Sequence, residues 1–305
     1  NGLASNNVSW LFITDSFIES ADGTIWCRSR DGPLSRYDGQ QFTPVTIQEG
    51  IIGDFVSCMY KSRDGTVWFG TEGGVTSYDG LKFFSLSKED GLGDNQITAI
   101  YESEDGIMWF GTRSGGVSLY DGNALNSLDV RDGLASNHIS HIVGGTGGAV
   151  YLGIFNNRTG GADFIRYKRS PMASKVVIDW VKTDELHTDL DNIPPIVSGN
   201  LVAFKFRSID FKTVAAKRRY QYRIQEFQDW GSATVNNTYD YKFDQTGNYT
   251  FEVRAIDRDL RYSEIASVNF QVVPPWYLNG WIMFPSGGSI LVILILAVVN
   301  GVRYY

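Results

Sequence analysis

The chain has 305 residues, enough for about two domains, and its 43% hydrophobic, 20% charged composition is that of an ordinary globular protein. A net charge of −7 and the lack of any basic run argue against a non-specific nucleic-acid binder. The only two cysteines, Cys27 and Cys58, have no spacing that suggests a disulfide or zinc site, and they read as small buried residues.

Chain order is governed by a repeat. Asp64-Gly65-Thr66-Val67-Trp68-Phe69-Gly70-Thr71 returns as Asp105-Gly106-Ile107-Met108-Trp109-Phe110-Gly111-Thr112. A looser copy stands at Asp22-Gly23-Thr24-Ile25-Trp26, and a decayed one at Gly147-Gly148-Ala149-Val150-Tyr151. The steps from Trp26 to Trp68, Trp109 and Tyr151 are 42, 41 and 42 residues. Two further phrases keep this period. One is the Tyr-Asp-Gly series at Tyr37, Tyr78 and Tyr120. The other is Gly-Leu-x-x-Asn, as in Gly91-Leu92-Gly93-Asp94-Asn95 and Gly133-Leu134-Ala135-Ser136-Asn137. In the third repeat, residues 96–101, 107–111, 116–120 and 124–128 read as four short strands bounded by Gly, Asp and Asn. Asp-Gly signals a hairpin, because Gly accepts positive φ without steric cost. Four antiparallel strands recurring in this way are the blades of a β-propeller. The repeated tryptophans are then expected to fill the gaps between blades. Residues 1–170 are assigned to these blades.

The fourth repeat has a longer loop at 154–161 and no clear fourth strand before Ser170-Pro171. Four blades are also few for a closed ring, where about 4 to 8 are usual. The chain opens inside a repeat phrase, so it is expected to be a piece of a longer protein holding the last four blades of a larger propeller. Alternating strand direction puts the Gly-Leu phrase and the Gly-Gly turn on one face, away from the Asp-Gly turns. Non-repeating residues on that face, Arg28, Arg30, Glu72, Arg113, Asn156 and Arg158, are the candidates for ligand contact. The alternative for each is a solvated loop residue. No catalytic order of Ser, His and Asp stands out, nor a phosphate loop or paired carboxylates. His138 and His141, three apart on an expected strand, point to opposite faces. No metal or cofactor is expected.

The period ends after Pro171. Residues 176–181, 201–206, 220–226, 239–243, 249–256 and 267–273 read as strands, with plain alternation in Tyr249-Thr250-Phe251-Glu252-Val253-Arg254-Ala255. This predicts an immunoglobulin-like sandwich over 172–274, with Trp230 and Tyr249 in its core. From Trp281 to Val302 the chain is nearly free of charge, long enough for a transmembrane helix over 278–302. Trp276, Tyr277 and Trp281 flank one end, and Arg303, Tyr304 and Tyr305 the other, in the pattern of an aromatic belt with a cytoplasmic basic residue. That order places residues 1–275 outside the cytoplasmic membrane. The alternative is a hydrophobic C-terminal core helix.

Together these parts resemble the sensor region of bacterial hybrid two-component systems. The repeats resemble two-component regulator propeller repeats through Asp-Gly-Thr-Val-Trp-Phe-Gly-Thr, Ser77-Tyr78-Asp79-Gly80 and Asp90-Gly91-Leu92. The next domain is similar to the Y_Y_Y domain through Tyr220-Gln221-Tyr222-Arg223-Ile224, Trp230, Gly247-Asn248-Tyr249-Thr250-Phe251-Glu252-Val253-Arg254-Ala255 and Pro274-Pro275-Trp276. The resemblance implies a non-catalytic, periplasmic propeller that senses a small molecule or oligosaccharide. It further implies a sandwich that dimerises and couples binding to the membrane helix, and a kinase or cyclase on the cytoplasmic side. The alternatives are a membrane-anchored propeller lyase or hydrolase, and an adhesion or scaffold propeller.

Overall fold

The computed structural model describes residues 17–28, 33–156, 161–225 and 227–278. Within them each Asp-Gly phrase builds the same turn. Ser20, Ser62 and Ser103 donate their hydroxyls to Asp22, Asp64 and Asp105 at 2.6, 2.6 and 2.7 Å. The same hydroxyls accept the indole N–H of Trp26, Trp68 and Trp109 at 3.0, 3.3 and 3.1 Å. A buried indole needs such an acceptor. The repeat is therefore Ser-x-Asp-Gly-x-x-Trp, with the serine tying the turn to the tryptophan. Gly65 and Gly106 have φ of 90° and 81°, which their turns require.

Each turn opens a hairpin. β1 (Phe17–Glu19), β2 (Ile25–Cys27), β3 (Ser35–Tyr37) and β4 (Phe42–Pro44) form the first four-stranded antiparallel sheet. β5 (Val56–Lys61), β6 (Val67–Thr71), β7 (Val75–Tyr78) and β8 (Phe83–Leu86) form the second. β9 (Ile97–Glu102), β10 (Met108–Thr112), β11 (Val117–Tyr120) and β12 (Leu125–Leu128) form the third, within a residue of the strands read from sequence. The fourth has three strands among the described residues, β13 (Ile139–Gly144), β14 (Ala149–Asn156) and β15 (Gly161–Lys168).

The blades share their cores. Trp26 of the first blade packs edge-on against Phe69 and Tyr78 of the second, both at 5.0 Å. Trp68 meets Phe110 and Tyr120 of the third blade at 5.4 and 6.1 Å, and Trp109 meets Tyr167 of the fourth at 5.9 Å. The glycine after each Trp-Phe has a separate reason. A Cβ on Gly111 would lie 2.8 Å from Ile139 Cγ2, so the next blade's first strand sits where a side chain would be. Between blades the chain makes single 3-10 turns, Ile47–Glu49, Lys88–Asp90 and Val130–Asp132, that the sequence reading missed. Gly50, Gly91 and Gly133 end them in the left-handed region. Asn95 and Asn137 accept from the amides of Lys88 and Val130 at 2.7 and 2.9 Å. Leu92 and Leu134 then drop into the blade cores. The Gly-Leu-x-x-Asn phrase is thus a turn and anchor.

Beyond Pro171 two four-stranded sheets face each other. One runs β17 (Leu186–His187), β16 (Lys175–Lys182), β19 (Leu201–Ile209), β21 (Thr238–Lys242). The other runs β18 (Ile196–Val197), β23 (Ala266–Val273), β22 (Gly247–Ile256), β20 (Arg219–Ile224). Phe204 and Phe251 stack at 4.1 Å across the middle, and Tyr249 lies in the same core. Trp230 does not. It is half-buried at the surface, with Arg223 and Arg254 over its ring at 4.7 and 4.3 Å, because two guanidinium groups claim its π face. The two-residue strands β17 and β18 were too short to be read from sequence. Among the described residues no helix is long and apolar enough to cross a membrane. Residues 279–302 of the expected membrane helix lie outside the described residues.

Two substitutions test this account of the seams. Trp109→Ala is expected to lower unfolding free energy by about 3–5 kcal/mol, as for other large buried aromatics. Gly111→Ala, which adds one methyl against Ile139, is expected to cost about 1–3 kcal/mol by overpacking. Urea denaturation checks both, and a Gly111→Ala protein as stable as the parent would contradict the close approach of the blades.

Candidate functional site

The residues singled out on the loop face occupy separate blades. Arg28, just after β2, is buried, and its guanidinium donates to the Ser57 carbonyl of the second blade. Glu72, just after β6, accepts from the backbone amides of Asp54 and Phe55 at 2.8 and 3.0 Å, so its carboxylate closes the neighbouring loop. Arg113, just after β10, is exposed, and its amide donates to Gln96 O at 3.0 Å. Asn156 ends β14 opposite Gly161. Its side chain, Arg30 and Arg158 lie outside the described residues. Glu72 and Arg113 share no ion pair among the described residues. Among those residues no group of three His, Cys, Asp or Glu side chains could hold a metal ion.

The densest polar constellation lies elsewhere, where the sandwich meets the third and fourth blades. Its centre is the turn at 257–262, which leaves β22. Asp257 caps this turn by accepting from the amides of Asp259 and Arg261, both at 2.9 Å. Leu260 has φ of 55°, the sole positive φ of a non-glycine among the described residues. A left-handed Leu costs about 1–2 kcal/mol. The cost is offset by packing, since Leu260 and Ile256 belong to the same core cluster as Trp109, Leu134, Leu152 and Tyr167 of the propeller.

Polar groups surround that apolar plug. Buried Asp259 accepts the Tyr167 hydroxyl at 2.5 Å and the Ser170 amide at 3.1 Å, while its carbonyl accepts from Arg169 Nε at 2.7 Å. Tyr262 donates to Asp121 of the third Tyr-Asp-Gly turn at 2.7 Å. On its other side Tyr262 carries the Arg254 guanidinium at 4.4 Å, which continues the stack to Trp230. Asn126 of β12 donates to the Asp257 carbonyl at 3.0 Å. Lys217, before β20, donates to Ser127 O and Asp129, both at 2.9 Å, and to Asp132. Arg258 donates to Asp132 O at 3.2 Å.

These contacts set the charges. Hydrogen bonding from Arg131, outweighing burial, and then contact with Lys217 hold the Asp129 carboxyl well below the usual range. Burial, then the Asp259 charge, pushes the Tyr167 phenol far up, so it remains a donor. Burial pushes Asp257 up to about 6 despite its two amide hydrogen bonds. Beside the junction, between the third blade and the start of β20, is a cavity of about 390 Å³ whose wall includes Lys88, Asn126, Asp129, Arg131, Lys217 and Arg219. The sequence held no sign of it, because its residues are spread from 88 to 219 and share no motif.

Residues 50–73 and 91–114 match the family model described as two component regulator propeller, so the second and third blades carry repeats of that family. No curated protein matches the chain. Among solved structures, an extracellular domain assigned to a hybrid two component system of B. thetaiotaomicron is 20% identical, with a TM-score of 0.45 over 89% of this chain and 41% of that one. A second such domain from the same organism is 17% identical, with a TM-score of 0.40 over 89% and 38%. PorZ, a surface component of the type-IX secretion system of Porphyromonas gingivalis, is 14% identical, with a TM-score of 0.37 over 88% and 40%. The chain therefore spans about two fifths of the length of each.

The junction carboxyls give stability opposite dependences on pH. A carboxyl raised in the folded state, such as Asp257, carries a penalty that is absent below its unfolded pKa of about 3.9 and full once pH exceeds about 6. Asp129, depressed in the folded state, contributes stability above about pH 4 that is lost as pH falls below it. Asp257→Asn keeps a carbonyl acceptor for the turn. It is expected to leave stability unchanged near pH 4 and to raise it progressively up to pH 6 and above. Urea unfolding at pH 4, 5, 6 and 7 reads this, and parallel profiles for parent and variant would refute the assignment.

Proposed function

We propose that the chain is the membrane-proximal part of an extracytoplasmic sensor, in which propeller blades take up a ligand and the sandwich passes the effect to a membrane helix and a cytoplasmic output domain. The observation that carries this reading is the junction at 257–262, where an apolar plug and a shell of buried hydrogen bonds join the two modules. Interfaces between domains that move independently are usually more polar and less plugged. The match of two blades to two component regulator propeller repeats supports the same reading. Ligand binding biases an output only if the ligand has different affinity for two states of the ectodomain. In this reading the joint carries the difference between those states from the blades to β20 and β22.

The ligand in this reading is a small molecule or oligosaccharide at the loop face. Arg113, with its exposed side chain, Arg30, Asn156 and Arg158 supply contacts. Arg28 and Glu72 shape the neighbouring loops through their hydrogen bonds to Ser57, Asp54 and Phe55. The sandwich is similar to a Y_Y_Y domain and pairs with a second copy. Phe211 and Phe227, exposed at 99% and 57%, supply apolar surface for that contact.

Topology and coupling are testable separately. Alkaline phosphatase, which folds only outside the cytoplasm, is expected to be active when fused after Pro275 and inactive when fused after Tyr305. Equal activity at both points would remove the membrane helix from the proposal. In the full receptor, Tyr262→Phe deletes the hydrogen bond to Asp121 and keeps the ring. It is expected to leave ligand affinity of the propeller within about twofold and to weaken the ligand-dependent output of a transcriptional reporter. An unchanged reporter response would show that the joint does not relay the signal.

A further inference from the structure

The chain as a whole is acidic, at −7, yet the cavity beside the junction gathers four cations, Lys88, Arg131, Lys217 and Arg219, against one carboxylate in its wall, Asp129. Two of the four are committed. Lys217 sits between Asp129 and Asp132, and Arg131 forks onto Asp129 with Nε and Nη2 at 3.1 and 2.6 Å. Lys88 is exposed and has no ion pair among the described residues.

Arg219 is the unusual member. It opens β20 opposite Ile256, in the strand that abuts the docking turn. Its Nη2 lies 3.2 Å from where a Cβ on Gly91 would stand, so the guanidinium rests on the bare face of a glycine. Its Nε is buried and has no hydrogen-bond partner among the described residues. Burial alone draws its pKa below the usual arginine value, with no carboxylate opposing the shift. Arginine stays charged at neutral pH. Arg219 is half-buried, with its Nε enclosed and the charge facing no carboxylate, an arrangement that an anion in the adjoining space would complete.

We infer that this cavity is a binding site for a small oxyanion-bearing solute, a carboxylate, sulfate or phosphate group held by Arg219 with Lys88 at the rim. A planar guanidinium matches such groups through two parallel N–H···O bonds. The volume of about 390 Å³ falls within the range of about 300–1,000 Å³ usual for small-molecule sites. The other wall groups are already fixed. Ser127 donates to Gly91 O at 3.0 Å, Asn126 to Asp257 O at 3.0 Å, and Ser114 to Asp94 at 2.5 Å. The site is therefore a polar cup with two cations, Arg219 in its wall and Lys88 at its rim, that have no ion pair among the described residues. Its floor belongs to the propeller and its anchoring arginine to the sandwich, so a bound anion bridges the two modules. The binding claim itself does not depend on the sensor reading.

Isothermal titration of the purified chain with sodium sulfate, inorganic phosphate, glucuronate and, as the neutral counterpart, glucose provides the test at constant ionic strength. At least one anion is expected to bind while glucose does not. Glucuronate binding alone identifies a carboxylated solute, and sulfate or phosphate binding alone identifies an inorganic or ester anion. Arg219→Gln is expected to weaken the binding at least about tenfold without lowering the melting temperature of the unliganded protein, since it removes an uncompensated charge. Lys88→Gln, at an exposed position, is expected to leave the melting temperature unchanged and to weaken binding by about threefold or more. Arg36→Gln, in the first blade, is the control and changes nothing. Failure of all three anions to bind overturns the proposal. Binding that persists undiminished in both Arg219→Gln and Lys88→Gln overturns it equally.

Discussion

A four-stranded blade cannot bury its own tryptophan. Each of Trp26, Trp68 and Trp109 presents its ring to aromatic residues of the following blade, and its indole N–H to a serine of its own turn. The polar end fixes the ring within its blade, and the apolar body demands a neighbour. This division of one side chain between two blades makes the repeat obligatory, because a lone repeat leaves a large aromatic face in water. The glycine that follows each Trp-Phe belongs to the same constraint. It clears the space in which Ile97 or Ile139 of the next first strand settles.

The seam between the third and fourth blades uses the same logic with an added component. Ile256 and Leu260 of the sandwich enter the cluster that holds Trp109, Ile139 and Leu152. The sandwich therefore completes a propeller core as well as resting against it. Leu260 adopts its left-handed backbone because Asp257 and Asp259 fix the turn on both sides, through amide caps and through Tyr167. Strain at a single residue persists when surrounding structure over-determines it, and here the surroundings come from both modules.

Much of this was legible in the sequence where local chemistry repeats. The period of Trp26, Trp68 and Trp109 placed the blades, and Asp-Gly located hairpins whose glycines have positive φ. The alternation around Phe251 located the central strand of the sandwich. What escaped depends on contacts between distant segments. Asp257-Arg258-Asp259-Leu260-Arg261-Tyr262 carries five polar or charged residues, so it reads as a solvated loop; its burial follows from Asp121, Tyr167 and Ser170, about 90 to 140 residues earlier. Trp230 reads as core by residue type, yet Arg223 and Arg254 hold it at the surface. Arg28 and Glu72 read as variable loop residues, whereas backbone carbonyls and amides of the second blade engage them.

The chemistry of the junction also determines how it resists movement. Its ion pairs and buried hydrogen bonds bring little net adhesion, because desolvation cancels much of the attraction. Breaking one leaves an uncompensated charge, and that is costly. Lys217 bonds Asp129, Asp132 and Ser127 together, while Tyr262 and Asp259 engage Asp121 and Tyr167 on other strands. A small rotation of the sandwich strains all of these at once, so gradual sliding is resisted and the apolar plug of Leu260 moves only with its surroundings. β20 and β22, which flank this joint, pair with each other, and β22 pairs in turn with β23, so the joint is built into the sheet that holds the last strand of the sandwich.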